Sequence, residues 1–332
     1  MNRFGSQYFI DTQHLELLCF PMQKQSLIKN WRCYRTGIVS RKIIPSNFCE
    51  INAVDHCNIT CMDCNHASPA VKMRIANPDF VFRDLSTLSR YYRSPMIKIL
   101  GGEPLLHPNI LALVKEIRHS GISRKIRLVT NGILLPQMKD EVWKEIDEIE
   151  ISVYPQTQHL LTSHMADIYQ SARLHQVTII RYFYANFRAA FSTIGTTDHA
   201  LTQRIYNTCR FARLWGCQSI HEGYIFKCPH SIYIPDILDR AVSYDRREDG
   251  VRIIGTSSFS GRLRKFLSSR NPLRACRYCL GSVGMLHPHK LINTACLKSV
   301  YAVPIEEMVD YEKLLRLENG SGAFDSDKIQ IQ

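Results

Sequence analysis

Phe48-Cys49-Glu50-Ile51-Asn52-Ala53-Val54-Asp55-His56-Cys57-Asn58-Ile59-Thr60-Cys61-Met62-Asp63-Cys64 is the stretch whose reading decides this chain. Its first half, Phe48 to Val54, is strand-like, and its second half spaces three cysteines as C-x3-C-x2-C. Soft thiolates at close spacing suit an iron–sulfur cluster, and three of them can hold three irons of a 4Fe–4S cube. The fourth iron is then left for a ligand that is not protein. A structural zinc site is the other chemistry open to the triplet alone, with His66 completing a Cys3His set. The following sequence has no place in a zinc knuckle. Ile97 to Leu100 reads as a strand running into Gly101-Gly102-Glu103-Pro104, and Leu128 to Gly132 as another strand ending in a turn.

The triplet and the Gly-Gly-Glu-Pro segment together resemble the radical SAM superfamily. The resemblance implies that Cys57, Cys61 and Cys64 ligate a catalytic 4Fe–4S cluster whose open iron chelates S-adenosylmethionine (SAM). It implies that Gly101, Gly102 and Glu103 line the SAM amino group, and that Thr130, Asn131 and Ser152 are candidates for its ribose or carboxylate. Glycines suit a place where backbone must approach closely. One departure is visible: many members carry an aromatic before the third cysteine, and here it is Asp63, which leaves the cluster ligands intact and does not supply the usual aromatic near the adenine.

The 332 residues suffice for one large α/β domain, or one domain plus an appendage. No run of eighteen apolar residues predicts a transmembrane helix, and Met1 to Ser6 opens no signal peptide. Twelve cysteines clustered at ligand spacing, without a secretion signal, point to a reducing cytoplasm. The net charge of +12 raises the question of nucleic acid, and Arg262, Arg264, Lys265, Arg270, Arg274 and Arg277 concentrate it. No zinc-finger, helix-turn-helix or RNA-binding signature accompanies that run, so nucleic acid is not expected as a partner. A solvated basic face, or compensation for an anionic cluster, accounts for it.

From Phe48 onward, strand and helix patterns alternate, as βα units and a parallel sheet require. Strands are expected near 48–55, 95–101, 125–131, 148–154 and 176–184, with a sixth in 187–226. Helices are expected at 79–92, 107–120, 138–147 and 158–174. The expected fold is α/β, the partial (β/α)6 barrel that the resemblance implies, with a small C-terminal cysteine-rich module. Its parts are an N-terminal extension (1–47), the barrel core (48–205), a cysteine-rich region (206–318) and a mobile tail (319–332). Arg181 and Phe183 share one face of a strand, pointing either into a pocket or outward against helices.

Cysteines recur at 209, 217 and 228, and Cys276-Arg277-Tyr278-Cys279 forms a C-x2-C pair. Residues 217–228 can fold as a hairpin around Gly223, gathering cysteines at its ends. This resembles the one-cluster "twitch" form of the auxiliary module of radical SAM enzymes, shorter than the SPASM form. The resemblance assigns Cys209, Cys228, Cys276 and Cys279 to a second, auxiliary 4Fe–4S cluster. Cys217 is an alternative ligand to Cys209 or a hydrogen-atom donor, a role also open to Cys296; zinc in a ribbon is the alternative metal. Cys19, Cys33, Cys49 and Cys296 otherwise read as ordinary small residues.

The resemblance thus implies reductive cleavage of SAM to a 5′-deoxyadenosyl radical and hydrogen abstraction from a small-molecule substrate. Asn65-His66-Ala67-Ser68-Pro69 after the triplet is similar to enzymes acting on aminocyclitols, aminosugars and sugar nucleosides in antibiotic pathways. Their outcomes are dehydrogenation, dehydration, epimerisation or decarboxylation, with an electron donor such as flavodoxin or ferredoxin. A peptide-modifying radical SAM enzyme is the rival within the superfamily; only 56 residues precede Cys57, short for a leader-binding domain. A zinc-stabilised scaffold or nucleic-acid-binding protein is the rival outside it.

Overall fold

The computed structural model describes residues 37–39, 42–45, 47–321 and 329–331. Cys19, Cys33, the side chain of Cys296 and most of the expected extension lie outside the described residues. The strands are β1 (Gly37–Val39), β2 (Lys42–Ile44), β3 (Cys49–Val54), β4 (Ile97–Gly101), β5 (Ile126–Thr130), β6 (Glu148–Val153), β7 (Thr178–Phe183), β8 (Asn186–Arg188), β9 (Gln218–His221), β10 (Tyr224–Phe226), β11 (Gly250–Arg252), β12 (Leu286–Pro288) and β13 (Ile329–Ile331).

Nine of them form one sheet in the order β11-β10-β9-β3-β4-β5-β6-β7-β13. β3 to β7 pair in parallel in sequence order, each preceded or followed by helix, so the chain is a mixed α/β fold on a parallel sheet. The sixth parallel strand, β9, adds beside β3 and not beside β7. The edge next to β7 is taken instead by β13, antiparallel. The tail expected to be mobile therefore contributes Ile329–Ile331 to the sheet.

Alternation decides the two faces of this sheet. Cys49, Ile51 and Ala53 of β3, Ile97 and Ile99 of β4, Ile126 and Leu128 of β5, and Ile149, Ile151 and Val153 of β6 join one apolar core. Helices pack on it: α1 (Pro78–Ser89) through Leu85 and Leu88, and α2 (Ile110–His119) through Leu113, Val114 and Ile117. Asn77 caps α1, its side chain accepting from the Asp79 and Phe80 backbone N–H groups, with Pro78 in the first turn. Arg181 and Phe183 face the same way: Arg181 lies over the Tyr169 ring, and Phe183 packs on the apolar core. Of the two directions open to this pair, the structure takes the outward one.

The opposite face is polar. Glu50 and Asn52, Lys98, Arg127, Glu148, Glu150, Ser152 and Tyr182 share it by register. Its charges neutralise one another: Lys98 Nζ pairs with Glu150 at 2.9 Å, and Arg127 pairs with Glu148 and with Glu150 at 2.9 Å.

Two expected helices are shorter than their pattern. α3 covers only Asp140–Trp143, because Asp147 already pairs with Ile126 through backbone and carboxylate, at 3.0 and 2.7 Å. The 158–174 stretch breaks into α4 (Gln158–Thr162) and α5 (Met165–Leu174).

Candidate cluster site and second thiol group

Each parallel strand delivers its last residue to one end of the sheet, where ligands gather in such folds. The cysteine loop follows β3, Gly101 ends β4, and Thr130 ends β5. Gly101 lies at φ +134°, and a Cβ there would meet the Val54 carbonyl oxygen at 2.0 Å. A Cβ on Gly102 would meet the His56 oxygen at 1.9 Å and the Cys57 nitrogen at 2.8 Å. The diglycine is thus required by the backbone entering the cysteine loop, which it also hydrogen-bonds: Gly102 N–H to Val54 O, 2.8 Å, and Glu103 N–H to His56 O, 3.0 Å.

Glu103 is fully buried, and its carboxylate joins three chain segments. It accepts from the Thr130 hydroxyl (2.7 Å), the Asn131 N–H (2.9 Å) and the Leu105 N–H (3.1 Å). Burial pushes its pKa up to about 7, against the lowering effect of those donors. Thr130 and Asn131 are therefore occupied by the scaffold. The Thr130 hydroxyl also receives the Gly132 N–H, while the Asn131 amide reaches Asn58 Oδ1 at 2.7 Å and Cys57 Sγ at 3.7 Å. Ser152 sits on the inner face near the end of β6, buried.

Burial pushes the Cys57 thiol up to about 12 and raises Cys61 further, and the neighbouring thiols of the triplet add to both. Cys57 and Cys61, whose ionisation burial and neighbouring sulfur disfavour, are thiols that a cationic centre would stabilise as thiolates. Among the described residues, no three Cys, His, Asp or Glu side chains converge tightly enough to chelate one ion. His66 faces the Tyr233 ring, centroids 5.9 Å apart, so the Cys3His zinc set gains no support.

The loop is held from a direction that its motif gave no hint of. Asp63, at φ +57° and buried, accepts from the Ala190 N–H at 2.9 Å and pairs with His287 Nε2 at 2.8 Å. Its own N–H donates to the Tyr301 hydroxyl at 2.8 Å. Where an aromatic is common, this chain has a clamp to its C-terminal part. His289 places Nε2 3.1 Å from Cys61 Sγ and stacks on Tyr154 at 4.7 Å. The Gln156 amide N–H donates to the His289 carbonyl at 2.5 Å, so its oxygen accepts from the His289 Nδ1–H and the unprotonated Nε2 faces the sulfur. Burial lowers the His289 pKa to about 4, keeping the ring neutral. Sequence reasoning missed His287 and His289; their i, i+2 spacing along β12 and just past it was the available signal.

The hairpin expected at 217–228 is present, β9 and β10 turning at Glu222 (φ +45°) and Gly223 (φ +79°). Two positive φ values are what a tight right-twisted hairpin needs. Cys209, Cys228 and Cys279 are buried, and Cys276 is partly so. Burial raises all four thiols; Cys209 and Cys228 add to the rise at Cys276 and Cys279, and Cys279 adds to it at Cys276. Cys217 precedes Gln218, which pairs with Cys49 at the start of β3; burial raises its thiol most, and Glu50, Cys228 and Cys209 add to the rise. It lies at the other end of the strand from the Cys57 loop, roughly 20 Å of β-structure away.

Two hydrogen bonds link the cysteine groups: Ala190 donates to Asp63, and its carbonyl accepts from Leu280, next to Cys279, at 3.1 Å. The basic run lies on α6 (Phe259–Ser268) and the turn after it. Arg262, Arg264, Lys265 and Arg270 are exposed, Arg274 pairs with Glu248 at 2.6 Å, and Arg277 donates to Thr196 O. That is a solvated face. No helix among the described residues is long and apolar enough to cross a membrane.

A family model described as a 4Fe–4S single cluster domain matches residues 49–175. GTP 3′,8-cyclase of Moorella thermoacetica is 32% identical over 94 residues, 27% of this chain and 28% of that protein. The corresponding enzyme of Rippkaea orientalis is 27% identical over 114 residues, 33% of this chain and 35% of that protein. The matched segment is less than half of the chain. The matched region spans about a third of these relatives' length. Among solved structures, BtrN in complex with AdoMet and 2-DOIA aligns at TM-score 0.38 and 13% identity, covering 67% of this chain and 82% of that one. Native anSMEcpe with bound AdoMet and Cp18Cys peptide aligns at 0.30 and 18%, covering 41% and 42%. The segment matching the 4Fe–4S single cluster domain runs from β3 to α5 and includes the triplet, the diglycine and Glu103.

Proposed function

We propose that the chain is a radical SAM enzyme acting on a small polar substrate, with Cys57, Cys61 and Cys64 as ligands of its catalytic 4Fe–4S cluster. The observation that carries this reading is the knit between the cysteine loop and the ends of β4 and β5. Gly102 and Glu103 bond the backbone before Cys57, and Asn131 reaches its sulfur. Held by those three thiolates, the cluster together with SAM would supply hydrogen-atom abstraction from an unactivated C–H bond. Gly101, Gly102 and Glu103 bring backbone to the SAM amino group. Thr130 and Asn131 fix Glu103 and Cys57 rather than reaching outward, and Ser152 is a buried inner-face hydroxyl near the end of β6.

The polar inner face supports a substrate such as an aminocyclitol, an aminosugar or a sugar nucleoside. Both inner-face cations, Lys98 and Arg127, are neutralised by glutamates, which favours a neutral or amine-bearing molecule over a triphosphate. Dehydrogenation, dehydration, epimerisation and decarboxylation all begin with the same hydrogen abstraction. The second thiol group, Cys209, Cys228, Cys276 and Cys279, fits a four-thiolate auxiliary cluster. An external one-electron donor of the flavodoxin or ferredoxin kind completes the requirement.

The test is anaerobic reconstitution followed by iron, sulfide and zinc counting and assay for 5′-deoxyadenosine under a strong reductant. About eight irons are expected for two cubanes, falling to about four when Cys57, Cys61 and Cys64 become alanine, with loss of SAM cleavage. Stoichiometric zinc without iron would sink the proposal. Coupled turnover is then sought with aminocyclitols, aminosugars and sugar nucleosides, against peptides as the competing class.

A further inference from the structure

A cavity of about 260 Å³ opens between the β9–β10 hairpin and the Asp245–Arg247 turn. Register places its walls on the inner face of the sheet. Ile220 and Ile225 turn to the apolar core, so Ser219, His221, Tyr224 and Phe226 take the opposite face, where the Ser219 hydroxyl donates to Glu50 at 2.9 Å. Tyr224 and Phe226 line the cavity, their ring centroids 6.3 Å apart. His221, also in the lining, ends β9 and places Nε2 3.6 Å from Oδ2 of Asp55, two residues before Cys57. The cavity therefore lies at the end of the sheet that carries the cysteine loop.

Two lining side chains keep a polar atom open. His221 is 9% exposed, and with Nε2 turned to a carboxylate its Nδ1 is an acceptor that has no hydrogen-bond partner among the described residues. Arg246 donates from Nη2 to Asp236 at 2.6 Å, while its buried Nη1 has no partner among the same residues. Buried polar atoms are normally satisfied, so an acceptor and a donor left open on one cavity mark the place of a ligand that answers both. Neighbouring hydroxyls do so.

The charges select an amine. Arg74 and Arg246 are balanced by two carboxylates: Arg74 bonds Asp55 at 3.1 Å and Asp236 at 2.8 Å, and Arg246 bonds Asp236. Arg247 and Asp245 bond each other at 2.7 Å. The lining charge left over is Glu222, 3.7 Å from His221 Nδ1 and 4.0 Å from Arg74 Nε, beyond hydrogen-bond reach of either. An ammonium answers that carboxylate, whereas a phosphate meets like charge. The volume is just under the ~300 Å³ at which pockets for drug-sized ligands begin, room for one ring and too little for a nucleoside triphosphate.

We propose that this cavity holds the substrate as a single-ring polyol bearing an amine. Glu222 takes the ammonium, His221 Nδ1 and Arg246 Nη1 take neighbouring hydroxyls, and Tyr224 and Phe226 cover the C–H face of the ring. This rests on the reading of the chain as a radical SAM enzyme with a small polar substrate, and names the residues that select it.

The experiment is calorimetric titration of the reconstituted full-length chain, and of its Glu222→Gln and His221→Phe variants, with scyllo-inosamine and glucosamine. Scyllo-inositol, lacking the amine, and glucosamine 6-phosphate, adding a phosphate, are the controls. Saturable binding of at least one amine to wild type is expected, tighter than either control. Glu222→Gln is expected to weaken the amine about tenfold and leave scyllo-inositol unmoved, as loss of one charge-assisted contact requires. His221→Phe is expected to weaken both. Glu222 is 63% exposed in its side chain, so its variant keeps the wild-type melting temperature and decides the matter where His221→Phe does not fold. No saturable amine binding in wild type overturns the proposal. So does an amine affinity unchanged by Glu222→Gln, or tighter binding of the phosphate ester. Assay of 5′-deoxyadenosine in the same preparations separates the two readings. Its formation without amine binding refutes the site and keeps the radical SAM enzyme; amine binding through Glu222 without its formation keeps the site and refutes the enzyme.

Discussion

Gly102 and Glu103 show how tightly single residues are constrained by the cysteine loop. An alanine at 102 puts its Cβ inside the His56–Cys57 backbone, with no flexible side chain to give way. Gly102→Ala is therefore expected to lose most first-site iron after reconstitution while leaving the second site loaded, read by iron count and EPR. Glu103 carries a pH dependence. Its folded pKa of about 7 lies above the ordinary 4.5, so its contribution is full below about 4.5 and is lost as pH rises through 7. The metal-free protein should lose about 2–3 kcal/mol over that window, and Glu103→Gln should flatten the profile. A denaturation series from pH 4 to 8 checks it; a slope unchanged by the substitution would refute the assignment. The types and spacing of the triplet were legible in sequence. Why glycines are needed at 101 and 102 was not, because the obstacle is backbone from another strand.

At the scale of elements, the β9–β10 hairpin and the 287–292 segment hold the two cysteine groups. A Cβ at Gly223 meets only Asp84, at ordinary contact distance, so the cost of a side chain is the positive φ alone. Gly223→Val is expected to cost about 1–2 kcal/mol, seen as a lowered melting temperature with Cys228 still able to ligate. The 287–292 segment makes antiparallel contact with the cysteine loop: Met62 donates to Lys290 O at 2.9 Å, and Ile292 donates to Thr60 O at 2.8 Å. Asp63→Ala removes the His287 hydrogen bond across this contact and the one from the Ala190 N–H beside it. Faster proteolysis of the 286–292 segment is expected, with hydrogen exchange as the check. The hairpin was readable from Gly223 between apolar runs. The clamp was not, because Asp63 and His287 are 224 positions apart and pair only through folding.

Across the whole molecule, the two cysteine groups bear on stability differently. Cys57 to Cys64 close a short loop, whereas Cys209, Cys228, Cys276 and Cys279 join chain segments far apart in sequence. Cross-linking distant segments removes more unfolded-chain entropy than cross-linking near ones. Changing Cys209 and Cys276 to alanine should lower the melting temperature of the loaded protein more than changing Cys57, Cys61 and Cys64; the reverse order would argue against metal at the second group. The sequence by itself determined the parallel α/β class, the strands from Cys49 to Phe183 and both cysteine groups. Those follow from local periodicity and spacing, which depend on the chain near each residue. Only the tertiary structure decided that β9 pairs with β3, that Cys217 stands away from the Cys57 loop, that Arg181 faces the helices, and that His289 meets Cys61. Each depends on which distant surfaces bury one another, a choice made by packing and hydrogen bonding across the fold and carried by no local pattern.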